Sequence, residues 1–91
     1  MRNPYMGRYA VTFEIETARE IGASILADFE RYFHKNNIDS KDTQNSDVAL
    51  YWELVRLHDD LFICETLDEV SEIRTAFRNA REHINEIKGK S

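Results

Sequence analysis

The sequence has little cysteine, glycine or proline: one cysteine, three glycines and one proline in 91 residues. The single cysteine, Cys64, excludes an internal disulfide framework and favours a reducing compartment, so we expect a cytoplasmic protein. The isolated glycines form no G-x-G-x-x-G or Walker-type phosphate loop, which disfavours nucleotide binding. No apolar run reaches the ~18 to 20 residues that span a bilayer, and no apolar segment follows the basic N-terminus as a secretory signal requires.

The length limits the chain to one domain, residues 1–91, near the lower limit for an independent core. The content of 42% apolar and 11% aromatic residues is that of a globular protein. The net charge of −5 argues against non-specific adhesion to nucleic acid or anionic lipid. Domains of this size commonly complete their cores by association, so a homodimer is predicted.

Residues 8–16 alternate between apolar and polar side chains, as a half-buried strand does. Their β-branched and aromatic side chains favour the same interpretation. A helix is the alternative, because Pro4 suits a helix start and a heptad pattern runs from Val11 to Tyr32. The first element is therefore predicted as a strand, with a helix left open.

A helix is predicted over residues 18–35. Thr17 is its expected N-cap, because Glu20 completes a T-x-x-E capping box. The asparagine pair 36–37 can end the helix in the left-handed conformation. The polar stretch that follows, 38–47, is predicted to be an exposed loop.

Residues 48–57 fit either an amphipathic helix capped by Ser46 or a strand buried on both faces, and their helix-forming side chains favour the helix. Residues 61–64 are apolar and predict a short strand able to pair with residues 8–16. If residues 48–57 form a strand instead, residues 58–60 become a hairpin loop.

The last element carries a helix signature. Thr66 and Glu69 form a capping box, acids fill the first turn, and Gly89 is a natural stop. Its apolar side chains recur in an unbroken heptad seam: Val70, Ile73, Phe77, Ala80, Ile84 and Ile87. These elements predict an α+β fold in which two long helices cover an N-terminal strand and a short second strand or hairpin; an all-α bundle is the alternative.

The nearest approach to a reactive cluster is His58, Asp59, Asp60 and Cys64, whose side chains are all potential zinc ligands. The spacing matches no C-x-x-C or H-x-x-x-H pattern, which favours a polar turn followed by a buried thiol. A nucleophilic cysteine also needs a nearby base and a thiolate-stabilising environment, and the sequence indicates neither. We predict no catalytic residues, no metal ligands and no cofactor.

Two features indicate a protein partner. Tyr51 and Trp52 are adjacent and point to different faces, so one of them is a candidate exposed anchor; burial of both is the alternative. The stretch from residue 59 to residue 72 has six acids and no lysine or arginine, and it can face a basic partner or be a solvated helix start. The acids are Asp59, Asp60, Glu65, Asp68, Glu69 and Glu72.

A basic stripe runs along the last predicted helix. It consists of Arg74, Arg78, Arg81 and Lys88. Such a row can reach phosphates along a nucleic-acid groove. The alternative is pairing with acids, Arg78 with Glu82 on the same helix and Arg74 with Asp59 or Asp60.

The sequence therefore predicts a small acidic, non-enzymatic module that regulates or inhibits another protein. Immunity proteins, antitoxins and anti-defence inhibitors share this size and charge, which is a likeness of composition only. A nucleic-acid-binding regulator that uses the basic stripe is the alternative. An enzyme is the third hypothesis, opposed by the few histidines, the single cysteine and the lack of a glycine-rich loop.

Overall fold

The computed structural model describes residues 4–90, with the side chains of residues 10–89. Within these residues, three α-helices follow one another: α1, Pro4–Lys35; α2, Ser46–Asp60; and α3, Leu67–Lys90. A 3₁₀ helix, Leu61–Ile63, joins α2 to α3. The described residues contain no strand, so the fold is a helical bundle and the predicted α+β fold is wrong.

The predicted strand at residues 8–16 belongs to α1. Its alternation is a short stretch of a longer heptad pattern, whose later members Ala18, Ile25 and Phe29 are buried. A single amphipathic helix lets the whole pattern face one core, and this outweighs the local preference for a strand. Thr17 is therefore not an N-cap; its hydroxyl donates to the carbonyl oxygen four residues earlier, at 3.0 Å.

The second predicted strand, residues 61–64, forms the 3₁₀ helix and its exit. Leu61 is buried in the core, whereas Phe62 and Ile63 are exposed. Because residues 8–16 are helical, this segment has no strand to pair with, and an unpaired strand is not stable in water. A tight turn satisfies its backbone locally instead.

The helix predicted over residues 48–57 is confirmed as part of α2. Its N-cap is Asn45 rather than Ser46. The side-chain oxygen of Asn45 accepts from the backbone N–H of Asp47 at 2.9 Å and from that of Val48 at 3.4 Å. Asparagine and serine are both favourable N-caps, so the sequence pattern fits a helix start at either residue.

Two other predicted helix ends are confirmed. Asn37 has a φ of 54°, in the left-handed region, directly after α1 ends. At the start of α3, Thr66 is the predicted N-cap: its Oγ1 accepts from the backbone N–H of Glu69 at 3.2 Å and donates to Oε1 of the same residue at 3.1 Å. Gly89 does not stop α3, which continues to Lys90.

Helices α1 and α3 lie parallel to each other. Near the start of both, Arg74 pairs with Glu14. Near the end of both, Lys88 Nζ lies 3.3 Å from Asp28 Oδ1. The two helices thus run side by side over most of their lengths and form a long groove.

Helix α2 runs antiparallel to α1 and covers only its later part. It starts beside Tyr32 and ends beside Arg19, whose carbonyl oxygen lies 3.2 Å from His58 Nε2. The turns of α1 that precede Arg19 therefore lie beyond the end of α2. This explains why Phe13 is 65% exposed while Phe29 on the same helix is fully buried.

Apolar side chains from the three α-helices and the 3₁₀ helix share one core. Its buried members are Ala18, Ile25, Phe29, Phe33, Val48, Leu54, Leu61, Val70, Ile73, Phe77, Ala80 and Ile84. The predicted seam of α3 is confirmed, with only its last residue, Ile87, partly exposed. At Gly22 the helices approach so closely that a Cβ would stand 2.8 Å from Phe77 Cε2 and 2.9 Å from His58 Cδ2.

Candidate functional site: an acidic and apolar end of the bundle

Large apolar side chains are exposed together near the start of α3. Phe62 is 62% exposed, Ile63 74% and Leu67 47%. Phe13 of α1 lies near Leu67, because both side chains line a groove of about 380 Å³ between α1 and α3. The 3₁₀ helix turns Leu61 into the core, so the residues after it face outward.

Four exposed acids share this end: Glu65, Asp68, Glu69 and Glu72. Within the described residues, none of them forms an ion pair with a basic side chain. The N-terminal dipole of α3 favours their negative charge, and the cap of Thr66 fixes Glu69. We call these acids, together with Phe13, Phe62, Ile63 and Leu67, the acidic-apolar end.

A basic side chain, that of Arg19, also reaches the acidic-apolar end. The guanidinium of Arg19 lies over the ring of Phe62, 4.4 Å from its centroid, which is a cation–π contact. The contact holds Phe62 against α1 without burying it.

Asp59 and Asp60, also predicted to bind a partner, close α2. Asp60 Oδ2 accepts from Arg56 Nη1 at 3.1 Å, so this acid is already paired, while Asp59 is exposed. The predicted pairing of Arg74 with one of these two acids is wrong. Arg74 pairs with Glu14 because α3 lies parallel to α1 and faces it there.

Tyr51 and Trp52 lie elsewhere, about 15 Å along α2 from Phe62 at 1.5 Å per residue. Tyr51 is half-buried, and its hydroxyl donates to Glu30 Oε1 at 3.3 Å. Trp52 is 44% exposed, and its Nε1–H donates to the carbonyl oxygen of Ser40 at 2.7 Å. The predicted partner-binding residues are thus divided between two places, and Trp52 secures the loop before α2.

The exposed apolar residues of the acidic-apolar end were not among those predicted to bind a partner. The predicted strand over residues 8–16 placed Phe13 on its apolar side, and residues 61–64 were predicted only to pair with that strand. One signal was present for Leu67. The seam of α3 alternates steps of three and four residues, and its first step, from Val70 to Ile73, is three. The step before Val70 is therefore four and leads to position 66, so Leu67 lies outside the buried seam.

The basic stripe of α3 faces the groove between α1 and α3, and both of its ends are paired. Arg74 pairs with Glu14, and Lys88 with Asp28, which also accepts from Arg31. Burial alone would raise the pKa of Asp28, but the hydrogen bonds from Arg31 and Lys88 outweigh it and lower that pKa below its ordinary value.

The middle of the stripe is different. Arg78 is exposed and forms no ion pair within the described residues, and the predicted pair with Glu82 is not among their contacts. Arg81 Nη2 donates to the hydroxyl of Ser24 at 3.4 Å, a neutral partner. These arginines and Ile21 line a groove of about 250 Å³.

The residues of the predicted reactive cluster are occupied by structural contacts. His58 Nε2 lies within hydrogen-bond distance of the Arg19 carbonyl oxygen, and the Cys64 thiol donates to the carbonyl oxygen of Asp60 at 3.4 Å. Burial, followed by the charges of Glu69 and Asp60, raises the pKa of Cys64, which disfavours a thiolate. In the described part of the chain, no three His, Cys, Asp or Glu side chains are placed to hold a metal ion.

A polar network closes the other end of the bundle. Asp47, at the start of α2, accepts from the hydroxyl of Tyr32 at 3.2 Å and lies 2.8 Å from Nε2 of His83. Because a carboxylate only accepts, that imidazole nitrogen carries the proton. Burial and the nearby carboxylate raise the pKa of Tyr32. We call these three residues, with Asp28 and Lys88, the paired end.

A three-helix bundle with one paired end and one exposed acidic-apolar end has the form of a small protein-binding module. Residues 7–87 match the family model described as bacterial epsilon antitoxin, and the chain belongs to that family. Comparisons with curated proteins and with solved structures give no match.

Membership in an antitoxin family means that the chain binds a partner protein, its toxin, as an inhibitor. The predicted inhibitory, protein-binding module is confirmed at this level. No helix in the described range, residues 4–90, is both long and apolar enough to cross a membrane.

Proposed function

We propose that the acidic-apolar end is the surface through which this antitoxin binds its toxin, and that it inhibits without chemistry of its own, by covering part of the toxin. The observation that carries the proposal is the exposure of four large apolar side chains on neighbouring elements. Water-soluble proteins rarely leave such side chains together on their surface unless a partner covers them.

The apolar residues supply the driving force. Complete burial of a side chain such as Phe62 or Ile63 is worth roughly 1.5 to 3 kcal/mol in area alone. Phe62 is also held in place by Arg19, so little side-chain entropy remains to be lost on binding. Pre-ordered aromatic side chains are typical hot spots of protein interfaces.

The acids supply selectivity. Glu65, Asp68 and Glu72 are exposed and have no basic partner among the described residues. A basic patch on the toxin would complement them and accelerate association, and an acidic competitor would be repelled. We infer that the toxin presents a basic rim around an apolar pocket.

The complex is expected in the bacterial cytoplasm, where the single free cysteine, Cys64, persists as a thiol. The predicted homodimer is a second use of the same apolar surface, supported by the same exposed side chains. Light scattering on the purified chain distinguishes the two uses. A monomer mass would mean that the acidic-apolar end is free to bind the toxin, and a dimer mass would mean that a second copy of the chain covers it.

The test is a double variant, Phe62→Ala with Ile63→Ala, and its matched control is Trp52→Ala, which removes an exposed aromatic from the other predicted surface. Calorimetry with the purified toxin should show the double variant binding at least about a hundredfold more weakly, as expected for hot-spot residues. The control should bind within about threefold of the unaltered chain. A larger loss for Trp52→Ala would assign the interface to α2 instead.

A further inference from the structure

The cations of α3 in the α1–α3 groove are not equally matched by acids. The first, Arg74, faces Glu14, and the last, Lys88, faces Asp28. Between them, Arg78 and Arg81 face no acid among the described residues. The row therefore contains a gap in which two guanidinium groups lack a carboxylate.

The floor of this gap is apolar and neutral. Ile21 lines the groove together with Arg74, Arg78 and Arg81, and Ser24 offers only its hydroxyl, to Arg81. The groove there measures about 250 Å³, which is room for one or two side chains and less than a nucleotide or a drug-sized ligand occupies.

We infer that Arg78 and Arg81 form a second anchoring site for the toxin, which receives an acidic segment of that protein. The inference rests on the proposed function, because it takes the toxin as the occupant. Two carboxylates inserted into the gap would complete the row that Glu14 and Asp28 begin. Each guanidinium would then form a charge-assisted, bidentate pair.

Carboxylates fit this gap better than phosphates do. The same row already holds carboxylates at both ends, so a polyphosphate backbone laid along the groove would pass over Glu14 and Asp28 and be repelled. The site also lies mid-helix, where backbone N–H groups are bonded within α1 and α3 and none is left for a phosphate. An acidic side chain can place its methylene groups on Ile21.

The spacing of the arginines sets the spacing of the partner's acids. Residues three apart on a helix have Cβ atoms about 5 to 6 Å apart. A helix with acids at i and i+3 or i+4 presents carboxylates at that distance. The site thus selects an acidic helical segment, whereas the acidic-apolar end selects a basic surface.

The test uses a defined probe, an alanine-based helical peptide with one Glu pair at i and i+4, titrated at low ionic strength. Nitrogen–proton NMR of arginine Nε–H groups should show shifts for Arg78 and Arg81 but not for Arg56, which is already paired with Glu53 and Asp60. The variant Arg78→Gln with Arg81→Gln should bind about tenfold more weakly or worse.

Two controls fix the interpretation. Arg56→Gln should leave peptide binding unchanged, and Arg78→Lys with Arg81→Lys should keep part of it, because charge remains while the bidentate fork is lost. Equal shifts at all three arginines, or full binding by the Gln variant, would overturn the inference. Tighter binding of inorganic phosphate or of a short DNA duplex at Arg78 and Arg81 would overturn it as well.

Failure of this inference is separable from failure of the proposed function. The peptide assay contains no toxin, so a negative result leaves the acidic-apolar end in place as the interface. In the toxin assay, loss of binding by the Gln variant together with normal binding by the Phe62 and Ile63 variant would reject the proposed surface and keep the arginine site.

Discussion

The two ends of the bundle treat their polar and apolar groups in opposite ways. At the paired end, Tyr32, Asp47 and His83 come one from each helix, and Asp47 bonds to both of the others. At the acidic-apolar end, Phe62 and Ile63 face outward among acids that have no basic partner within the described residues. The paired end thus satisfies its polar groups within the fold, whereas the acidic-apolar end leaves large apolar side chains and acids exposed.

The largest expected effect compares two phenylalanines of α1. Phe29→Ala empties a fully buried position and should lower the free energy of unfolding by about 3 to 5 kcal/mol. Phe13→Ala removes a ring that is 65% exposed and should change it by no more than about 1 kcal/mol. Urea denaturation followed by circular dichroism measures both. A large loss with Phe13→Ala would mean that the acidic-apolar end also carries the fold.

The next effect concerns the glycines of the helices. Gly22→Ala places a Cβ within 3 Å of the buried Phe77 ring, and overpacking of about 1 to 3 kcal/mol should exceed the helix-propensity gain of about 1 kcal/mol. Its control is Gly89→Ala, where a Cβ meets nothing within 4 Å and the change should be neutral or stabilising. Thermal unfolding of the two variants measures the difference in stability. A stabilised Gly22→Ala protein would show that the three helices can move apart there at no cost in free energy.

A third effect depends on pH and concerns Asp28, a member of the paired end. The folded pKa of Asp28 is below its ordinary value, so the carboxylate contributes stability above the unfolded pKa of about 4. That contribution is lost as the pH falls through the lower folded pKa. Asp28→Asn should therefore lower stability by about 1 kcal/mol at pH 7 and flatten its decline below pH 4. Denaturation curves at pH 7 and pH 3 give the comparison, with Asp68→Asn, an exposed acid, as the control.

The smallest expected effect tests whether the acidic-apolar end is well formed. Thr66→Ala removes the cap of α3 and should cost about 1 kcal/mol. Thr17→Ala, in the interior of α1, removes only a bond to its own helix and should be nearly neutral. Amide hydrogen exchange at the first turn of α3 would report the loss locally. Equal protection in both variants would show that packing, not the cap, orders this end.

Sequence patterns predicted α3 well because several independent signals agreed there. The capping box at Thr66 and the seam from Val70 to Ile87 both indicated a helix. In the first half the signals conflicted. The alternation of residues 8–16 indicates a strand but covers a short window, whereas the longer heptad pattern indicates a helix. The contact of this segment with α3 shows that the helix forms.

The candidate site was harder to predict than the fold. The acids of residues 65–72 were recognisable as a group. The exposure of Phe62 and Ile63, however, follows from a 3₁₀ turn, and the apolar sequence of that turn resembles a strand. The pairing of Arg74 with Glu14 spans 60 positions and depends on the parallel placement of α1 and α3. Contacts of that kind require the tertiary structure.

The parallel pairing of α1 and α3 also bears on the order in which the protein is made. Helix α1 has its most extensive contacts with α3, which is synthesised after both α1 and α2. Until α3 has left the ribosome, the apolar stripe that includes Ile25 and Phe29 lacks its cover, and α1 and α2 alone make a partial core. We therefore expect a fragment that ends before α3 to expose these apolar side chains to water and to be unstable on its own.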